Sequence, residues 1–528
     1  MPAERLVETD VLVIGGGLAG CFAAVKAREQ GVTVTQVAKG YIGKSGQTPW
    51  AHAIGVFNPE WGHKLEEWMG QVNRIGEYVN NRTWGEIVLR DSYARYQDLV
   101  SWGVVFLKDD RGEFRKECRP DGASEALMWS AHDGISARWV QPLRRQPVKV
   151  GVNIMERIMI VDLLRQDGRV VGAIGIPMDS FDLYIFLAKA VVLAAGAGGF
   201  KPVGGWPISD LTSDGHVMAY RVGAEITGKE FVDFHGRRAK GGFQRPPSRG
   251  LPLINAEGNE VPGHGMGLSG DFEAHAGRAP LTRGDEEVVS NAAPGLAVHT
   301  VEGVWPADEN GATGIPGLYA AGDNLGTMVV GAMYSGMGFA TATASVTGAR
   351  AGVAAAQFAR QAGKPAVDRT ELARSKGLVM APAQRQGGFT PAWVTQLLQN
   401  LMTPYFISRI KHGARLQAAL TLVEFMRDHL APKLFARDPH ELRLAHETKN
   451  MIINAEMVLR SALFRTESRG THYREDYPRR DDPNWLAWVI LKEEDGQMKA
   501  YKKPVPKEWW PDLTKPYEER YPVRFPGE

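Results

Sequence analysis

The chain has 528 residues, 62 Lys and Arg against 60 Asp and Glu, and two cysteines. That length predicts two to four domains, one of them discontinuous, and a net charge of +2 offers no electrostatic basis for binding nucleic acid or an anionic membrane. Cys21 and Cys118 supply neither a disulfide framework nor a zinc or iron–sulfur site, which predicts a reducing, cytoplasmic setting.

Near the N-terminus, Glu4, Glu8 and Asp10 do not fit a signal or transit peptide. No run reaches the ~18 uninterrupted apolar residues of a membrane span. Asp10–Lys39 then reads as strand (Val11–Ile14), glycine turn, alanine-rich helix to about Gln30, and second strand (Val32–Val37). Gly15, Gly17 and Gly20 stand in G-x-G-x-x-G spacing, which in this context is a dinucleotide fingerprint. Gly15 serves a tight turn, Gly17 the approach of a pyrophosphate, and Gly20 close helix–strand packing. The phosphate is expected at the helix N-terminus, where free N–H groups and the macrodipole favour an anion. The second strand ends in Lys39, with no carboxylate for a ribose hydroxyl. That weighs against a nicotinamide cofactor and leaves FAD open.

Gly40–Thr48 is a glycine and hydroxyl loop, read either as a flexible crossover or as backbone wrapping a cofactor. Helices are predicted over about Lys64–Tyr78 and Thr83–Trp102. Arg144-Arg145 reads as a solvated surface pair. Strands are predicted at Val148–Ile154, Ile158–Leu164, Val170–Ile176 and Leu183–Leu187, as a β-meander inserted into the dinucleotide domain, with a turn at Asp167-Gly168. Ala190–Gly199 is a buried strand ending in glycines, returning backbone at Ala195 and Gly196 to the cofactor. Residues 236–296 are Gly- and Pro-rich and read as a small separate domain or lid. Gly317–Asp323 is a second strand ending in Gly-Asp, followed by the small-residue helix Gly338–Ala356. Its carboxylate either meets a ribityl or ribose hydroxyl or caps a helix. Residues 390–465 have helical periodicity. From Tyr477 the chain holds eight prolines and four tryptophans, which suits an extended arm packed on the body or a partner surface.

The glycine turn, Leu193–Gly196, Thr212-Ser213-Asp214-Gly215, Glu230–His235, Gly317–Asp323, Arg465–His472 and Asp481–Trp485, in this order, resemble the flavoprotein subunits of succinate dehydrogenase, fumarate reductase, L-aspartate oxidase and adenylylsulfate reductase. The resemblance covers most of the chain. It implies an α/β fold with a Rossmann-like FAD-binding domain (1–235 and 297–360) carrying the β-meander, a small α+β capping domain (236–296), a C-terminal helical domain (367–475) and an extended arm (476–528). It further implies that Gly15, Gly17 and Gly20 hold the pyrophosphate, that Lys39 and Ser45 lie near the adenosine and phosphates, that Asp323 binds the ribityl chain, and that Gly46, Ala195, Gly196, Asp214, Ser335 and Gly336 also border the cofactor. His235 would face substrate, His299 would stand beside the flavin, and His472 would pack the helical domain.

Departures from the family pattern carry information of their own. Ser45-Gly46 stands where members with covalent flavin have a histidine after the serine, which implies noncovalent FAD. Tyr334, within Gly331–Gly336 and followed by Ser335 and Gly336, replaces the arginine that clamps a dicarboxylate, and Tyr cannot make that bidentate contact. Arg283 is the counterpart of the cap arginine that donates the proton in fumarate reduction.

The expected activity is hydride transfer between flavin N5 and a carbon next to a carbonyl or carboxylate, desaturating a C–C bond or reducing an enoate of a small acid or acyl derivative. His235 and His299 would hold the oxyanion while Arg283 or Tyr334 handles the proton. Two other readings stay open. One is adenylylsulfate reductase-like sulfite chemistry with a ferredoxin-type iron–sulfur partner, to which Tyr334–Gly336 and Tyr501-Lys502-Lys503-Pro504 lean. The other is an FAD-containing electron-relay or scaffold subunit of a larger complex.

Overall fold

The computed structural model describes residues 3–44, 46–51, 53–114, 116–117, 126–129, 137–200, 211–233, 238–239, 251–261, 268–289, 296–297, 301–334 and 338–528. Strand β1 (Glu4–Ile14), helix α1 (Leu18–Glu29) and strand β2 (Val34–Ala38) form the expected unit, with β1 and β2 parallel. Along β1, Val11 and Val13 belong to an alanine-rich layer, whereas Leu12 and Ile14 belong to the larger core on the opposite face. That period of two is what a strand covered on both faces requires.

The connection beyond β2 carries β3 (Ala53–Val56), helices α2 (Leu65–Ile75) and α3 (Arg82–Trp102), β4 (Lys116–Glu117) and β5 (Ala126–Trp129). The two helices follow the predicted spans closely. Asn81 caps α3 by accepting from Trp84 N–H at 3.2 Å. Helix α4 (Ala137–Lys149) overturns part of the predicted strand Val148–Ile154. It runs through Pro142 and Pro147 and is ended by Gly151 at φ +84°, so only Asn153–Glu156 (β6) is extended. The alternation Val148, Val150, Val152 imitated a strand, and two prolines hid the helix. Arg144 on α4 is not a free surface charge either: it grips Glu156 with both terminal guanidinium nitrogens, Nη2 to Oε2 at 2.9 Å.

Strands β7 (Ile158–Gln166), β8 (Arg169–Pro177) and β9 (Leu183–Leu193) are antiparallel neighbours within the main sheet, ordered β6-β2-β1-β9-β8-β7. The meander is therefore an extension of the dinucleotide sheet, and β9 is one continuous strand where two were expected. It pairs with β1 along its whole length, with β8 through Phe186 and its neighbours, and with β17 (Leu318–Ala320) through Val191–Leu193.

Beyond β9 come α5 (Asp214–Arg221), β10 (Ile226–Thr227) and β11 (Val232–Asp233), the last paired with β15 (Leu296–Ala297). Between β11 and β15 lie β12 (Arg238–Ala239), α6 (Leu268–His275), β13 (Leu281–Arg283) and β14 (Glu286–Val289), with a small cluster of Leu253, Val261, Leu281 and Val288. The nearly buried ion pair Arg409–Asp271 and the ring contact Phe272–Tyr473, centroids 4.8 Å apart, join α6 to the C-terminal half.

After β16 (Gly303–Val304) and β17, helix α7 (Phe339–Gln361) lies against α1, with Ala351 and Ala355 in the same layer as Ala19 and Ala23. Helices α8 (Arg369–Met380), α9 (Pro391–Met402), α10 (Tyr405–Ser408), α11 (Gly413–Phe425) and α12 (Pro439–Phe464) follow, with β18 (Ile410–Lys411) paired to β19 (Tyr473–Arg474). The C-terminal arm contains a hairpin, β20 (Ala487–Glu494) and β21 (Gln497–Pro504), and β20 joins β10 in a second sheet. Trp488 at its root donates to Val79 O at 2.7 Å, which fastens the arm to the body. Among the described residues, no helix is long and apolar enough to cross a membrane.

Candidate active site: a glycine-lined groove

The carboxyl ends of β1, β2, β9 and β17 converge on a groove of about 900 Å³, partly open to solvent, bordered by Gly15, Gly17, Lys39, Gly196, Asp214 and Asp323. Openings at strand carboxyl ends are where doubly wound sheets bind ligands. Gly15 has φ +135°, and a Cβ there would lie 2.0 Å from Ala194 O, so any side chain would drive β1 and β9 apart. A Cβ on Gly20 would meet Gly15 O at 2.2 Å, which is the close helix–strand packing expected of the third glycine. Gly17 caps α1 without a side-chain acceptor, and no acidic residue occupies the first turn. A negatively charged group therefore meets donors there and no competing carboxylate.

Lys39 closes the end of β2. Its ammonium donates to Thr212 Oγ1 at 2.8 Å and Asp214 Oδ2 at 2.9 Å, and pairs with Glu447 Oε1 on α12 at 2.8 Å. Burial pulls its pKa down, but Asp214 and Glu447 outweigh that and leave it above the ordinary lysine value. Burial conversely pushes Asp214 up, and Lys39 with Asn450 and Thr212 brings it below the usual carboxylate value. Asp214 Oδ1 also accepts from Asn450 Nδ2 at 2.9 Å. The helical segment thus reaches the groove wall, a connection that neither local motif revealed.

The loop after β2 is braced from outside. Ile42 N–H donates to Glu156 Oε1 at 2.9 Å, and Thr48 Oγ1 accepts from Leu18 N–H at 2.9 Å. Gly46 and Thr48 line the groove, so this loop wraps the opening. On the far wall Asn324 ties two segments together, Oδ1 accepting from Ala195 N–H at 2.6 Å and Nδ2 donating to Gly196 O at 3.1 Å. Ala195 and Asp323 stand on this wall.

Tyr334 and Arg283 do not border the groove. The Tyr334 hydroxyl accepts from Ala340 N–H at 3.3 Å, in the first turn of α7, and Arg283 ends β13 opposite Glu286. Ser45, His235, His299, Ser335 and Gly336 lie outside the described residues, as does Cys118. His472 is fully buried, 3.0 Å from Lys411 Nζ through Nδ1 and 3.2 Å from Arg465 O through Nε2, a packing role as expected.

The FAD binding domain family matches residues 10–269, and the fumarate reductase flavoprotein C-terminal family matches residues 396–521. With both matches, the chain is fumarate reductase and succinate dehydrogenase flavoprotein-like. It is an FAD-dependent oxidoreductase, and a helix start free of carboxylates, a side-chain-free turn at Gly15 and the partly buried Lys39 suit an extended dinucleotide. A relative from Methanothermobacter marburgensis, one of the subunits of fumarate reductase (CoM/CoB), is 28% identical over 564 aligned positions, covering 92% of this chain and 98% of that one. The Mycobacterium smegmatis Sdh1 complex in its apo form contains a chain with the same fold, with a TM-score of 0.83 at 23% identity and 95% of both chains covered. Adenylylsulfate reductase from Archaeoglobus fulgidus shares the fold as well, with a TM-score of 0.79 at 22% identity over 96% of this chain and 97% of that one.

Residues behind the groove lining that sequence reasoning passed over are Asn324, Glu447 and Asn450, which bond to Ala195, Lys39 and Asp214, together with the buried His216 and Lys229. His216 directly follows the quoted Thr212–Gly215 motif and Lys229 directly precedes Glu230–His235. Polar residues adjoining both motifs were the available signal.

Proposed function

We propose that this flavoprotein transfers a hydride between flavin N5 and a carbon adjoining a carbonyl or carboxylate, acting on an α,β-unsaturated acid or acyl derivative or its saturated counterpart. FAD, when bound, supplies the hydride acceptor or donor and stores the electron pair. The observation that carries the reading is the bracing of Gly331–Tyr334, where dicarboxylate enzymes of the family have an arginine. Ala332 O accepts from both Thr471 N–H, at 3.0 Å, and Thr471 Oγ1, at 3.2 Å. A Cβ on Gly470 would come within 2.3 Å of the same oxygen. Tyr334 therefore occupies a fixed place, offering one hydroxyl instead of a bidentate cation. A thioester or monocarboxylate suits that place better than a C4 dicarboxylate.

In this reading His235 and His299 hold the substrate oxyanion, and Arg283 or Tyr334 moves the proton. Gly46, which has no side chain, follows Ser45 in the loop and leaves FAD noncovalent. The electron partner is a separate iron–sulfur or ferredoxin-type protein. Among the described residues no group of His, Cys, Asp or Glu could hold a metal, and the Cys21 thiol is pushed up to about 12 by burial.

The test is anaerobic. Photoreduced protein is mixed with enoates, enoyl thioesters and fumarate, and oxidised protein with sulfite. Reoxidation by an enoate or enoyl thioester faster than by fumarate is expected. A flavin that responds to fumarate best refutes the Tyr334 argument, and one that responds to sulfite alone moves the protein to the sulfur branch.

A further inference from the structure

Behind the turn Gly322–Asn324 lies a row of polar side chains that four segments bring together: His216 on α5, Lys229 between β10 and β11, Glu302 before β16 and Asn454 on α12. All four are buried, His216 completely. Lys229 Nζ stands 2.9 Å from His216 Nδ1, 2.7 Å from Glu302 Oε2 and 2.8 Å from Asn454 Oδ1. An ammonium has three protons to give and no lone pair, so all three contacts are donations and Nδ1 must accept. The proton of the neutral ring is then on Nε2, which stands 2.7 Å from Asp323 O and donates to it. One tautomer satisfies every group in the row.

The far end of the row is anchored too. Glu302 Oε1 accepts from Gly198 N–H at 3.2 Å, in the segment that leaves β9. The row therefore joins the backbone after β9 to the backbone of Asp323, behind the wall that Asn324 closes from the other side. Burial pushes Lys229 down and Glu302 up, while their mutual attraction opposes both. Burial and the neighbouring Lys229 hold His216 well below the ordinary histidine value, so the ring stays neutral. A buried ion pair is a weak source of stability, since apolar residues of equal volume commonly do as well. A role in geometry accounts for its presence.

We propose that His216, with Lys229 fixing its tautomer, is a positioning residue for the flavin: it holds the Asp323 carbonyl and so sets the wall against which the ribityl chain lies. This rests on the reading that Asp323 faces that chain. Neither residue borders the groove.

The test measures FAD affinity of the reconstituted apo-protein by quenching of flavin fluorescence, with the flavin midpoint potential as a second readout. His216→Phe keeps a ring of similar size but neither hydrogen bond, and is expected to weaken FAD binding by about tenfold or more. His216→Gln offers an amide oxygen to Lys229 and an amide N–H to Asp323 O, and is expected to recover affinity to within about threefold of the parent. Parent-like affinity and potential in His216→Phe would overturn the proposal, as would a His216→Gln variant no better than His216→Phe. If His216→Phe does not fold, the double variant Lys229→Met/Glu302→Leu, which leaves no unpaired charge, takes its place. Weakened binding in it supports the proposal and unchanged affinity overturns it. Asp323→Ala separates the two levels: unchanged affinity there refutes the ribityl reading itself, whereas loss there with none in His216→Phe refutes only the positioning role.

Discussion

At the scale of single residues the groove is defined as much by what side chains leave empty as by what they supply. A Cβ at Gly17 would meet only Thr48 Oγ1, at 3.1 Å. Gly17→Val is therefore expected to fold and to purify without flavin, because the new side chain projects where a pyrophosphate approaches; a yellow Gly17→Val protein would refute the placement. Lys39 is the opposite case. Replacing it with Met leaves Asp214 without its cation, while Glu447 keeps Arg443 at 2.6 Å, at a cost on the order of 3 kcal/mol. Urea unfolding of the apo-protein should show that loss, and FAD affinity should fall with it. An unchanged midpoint would mean that water replaces the ammonium. Lys39 was legible as a groove residue from its place after β2. Its partner Glu447 was not, because nothing in a helical repeat announces which polar residue will face another domain.

Elements show where local signals compete. Asp167-Gly168 and Asp495-Gly496 both have positive φ and both close hairpins. The first was readable because valines and isoleucines flank it; the second was obscured by prolines and tryptophans, although Asp-Gly is a strong hairpin signal. The helix α12 carries a pH dependence. His446 there is fully within the protein, with Nε2 2.8 Å from Val379 O, and burial depresses its pKa to about 3. Unfolded, it would titrate near 6.5. Its contribution is thus fully present above that value and is lost as pH falls towards about 3, because only the unfolded chain takes up the proton. Near pH 5 the loss is about 2 kcal/mol. His446→Gln can keep the bond to Val379 O, so its unfolding midpoint should fall less between pH 7 and pH 5 than the parent's. Equal slopes would show that other groups dominate.

Over the whole molecule, the segment between β11 and β15 is joined to the C-terminal half through Arg409–Asp271, with side-chain exposures of 3% and 1%. Asp271→Asn removes one charge of a buried pair and should destabilise that junction on the order of 3 kcal/mol. Limited proteolysis between residues 251 and 289 is expected to quicken without change in the cleavage of α9 to α12. Uniform acceleration everywhere would point to global destabilisation instead. The sheet and its glycine turn were legible because their signals lie within about thirty residues. The junctions between segments were not, since Asp271 and Arg409 are single charged residues in unremarkable surroundings.

The groove is lined from Ile14 to Ala344, and its lining residue Asp214 is held from behind by Asn450, with Asn454 further along the same helix. Chain synthesis proceeds at roughly 5–20 residues per second, so something like 20–90 s separates the appearance of the glycine turn from that of the helix that completes its surroundings. Throughout that interval Lys39 lacks Glu447 and Lys229 lacks Asn454. A nascent chain cannot offer a finished berth to FAD, and loading belongs to the nearly complete polypeptide.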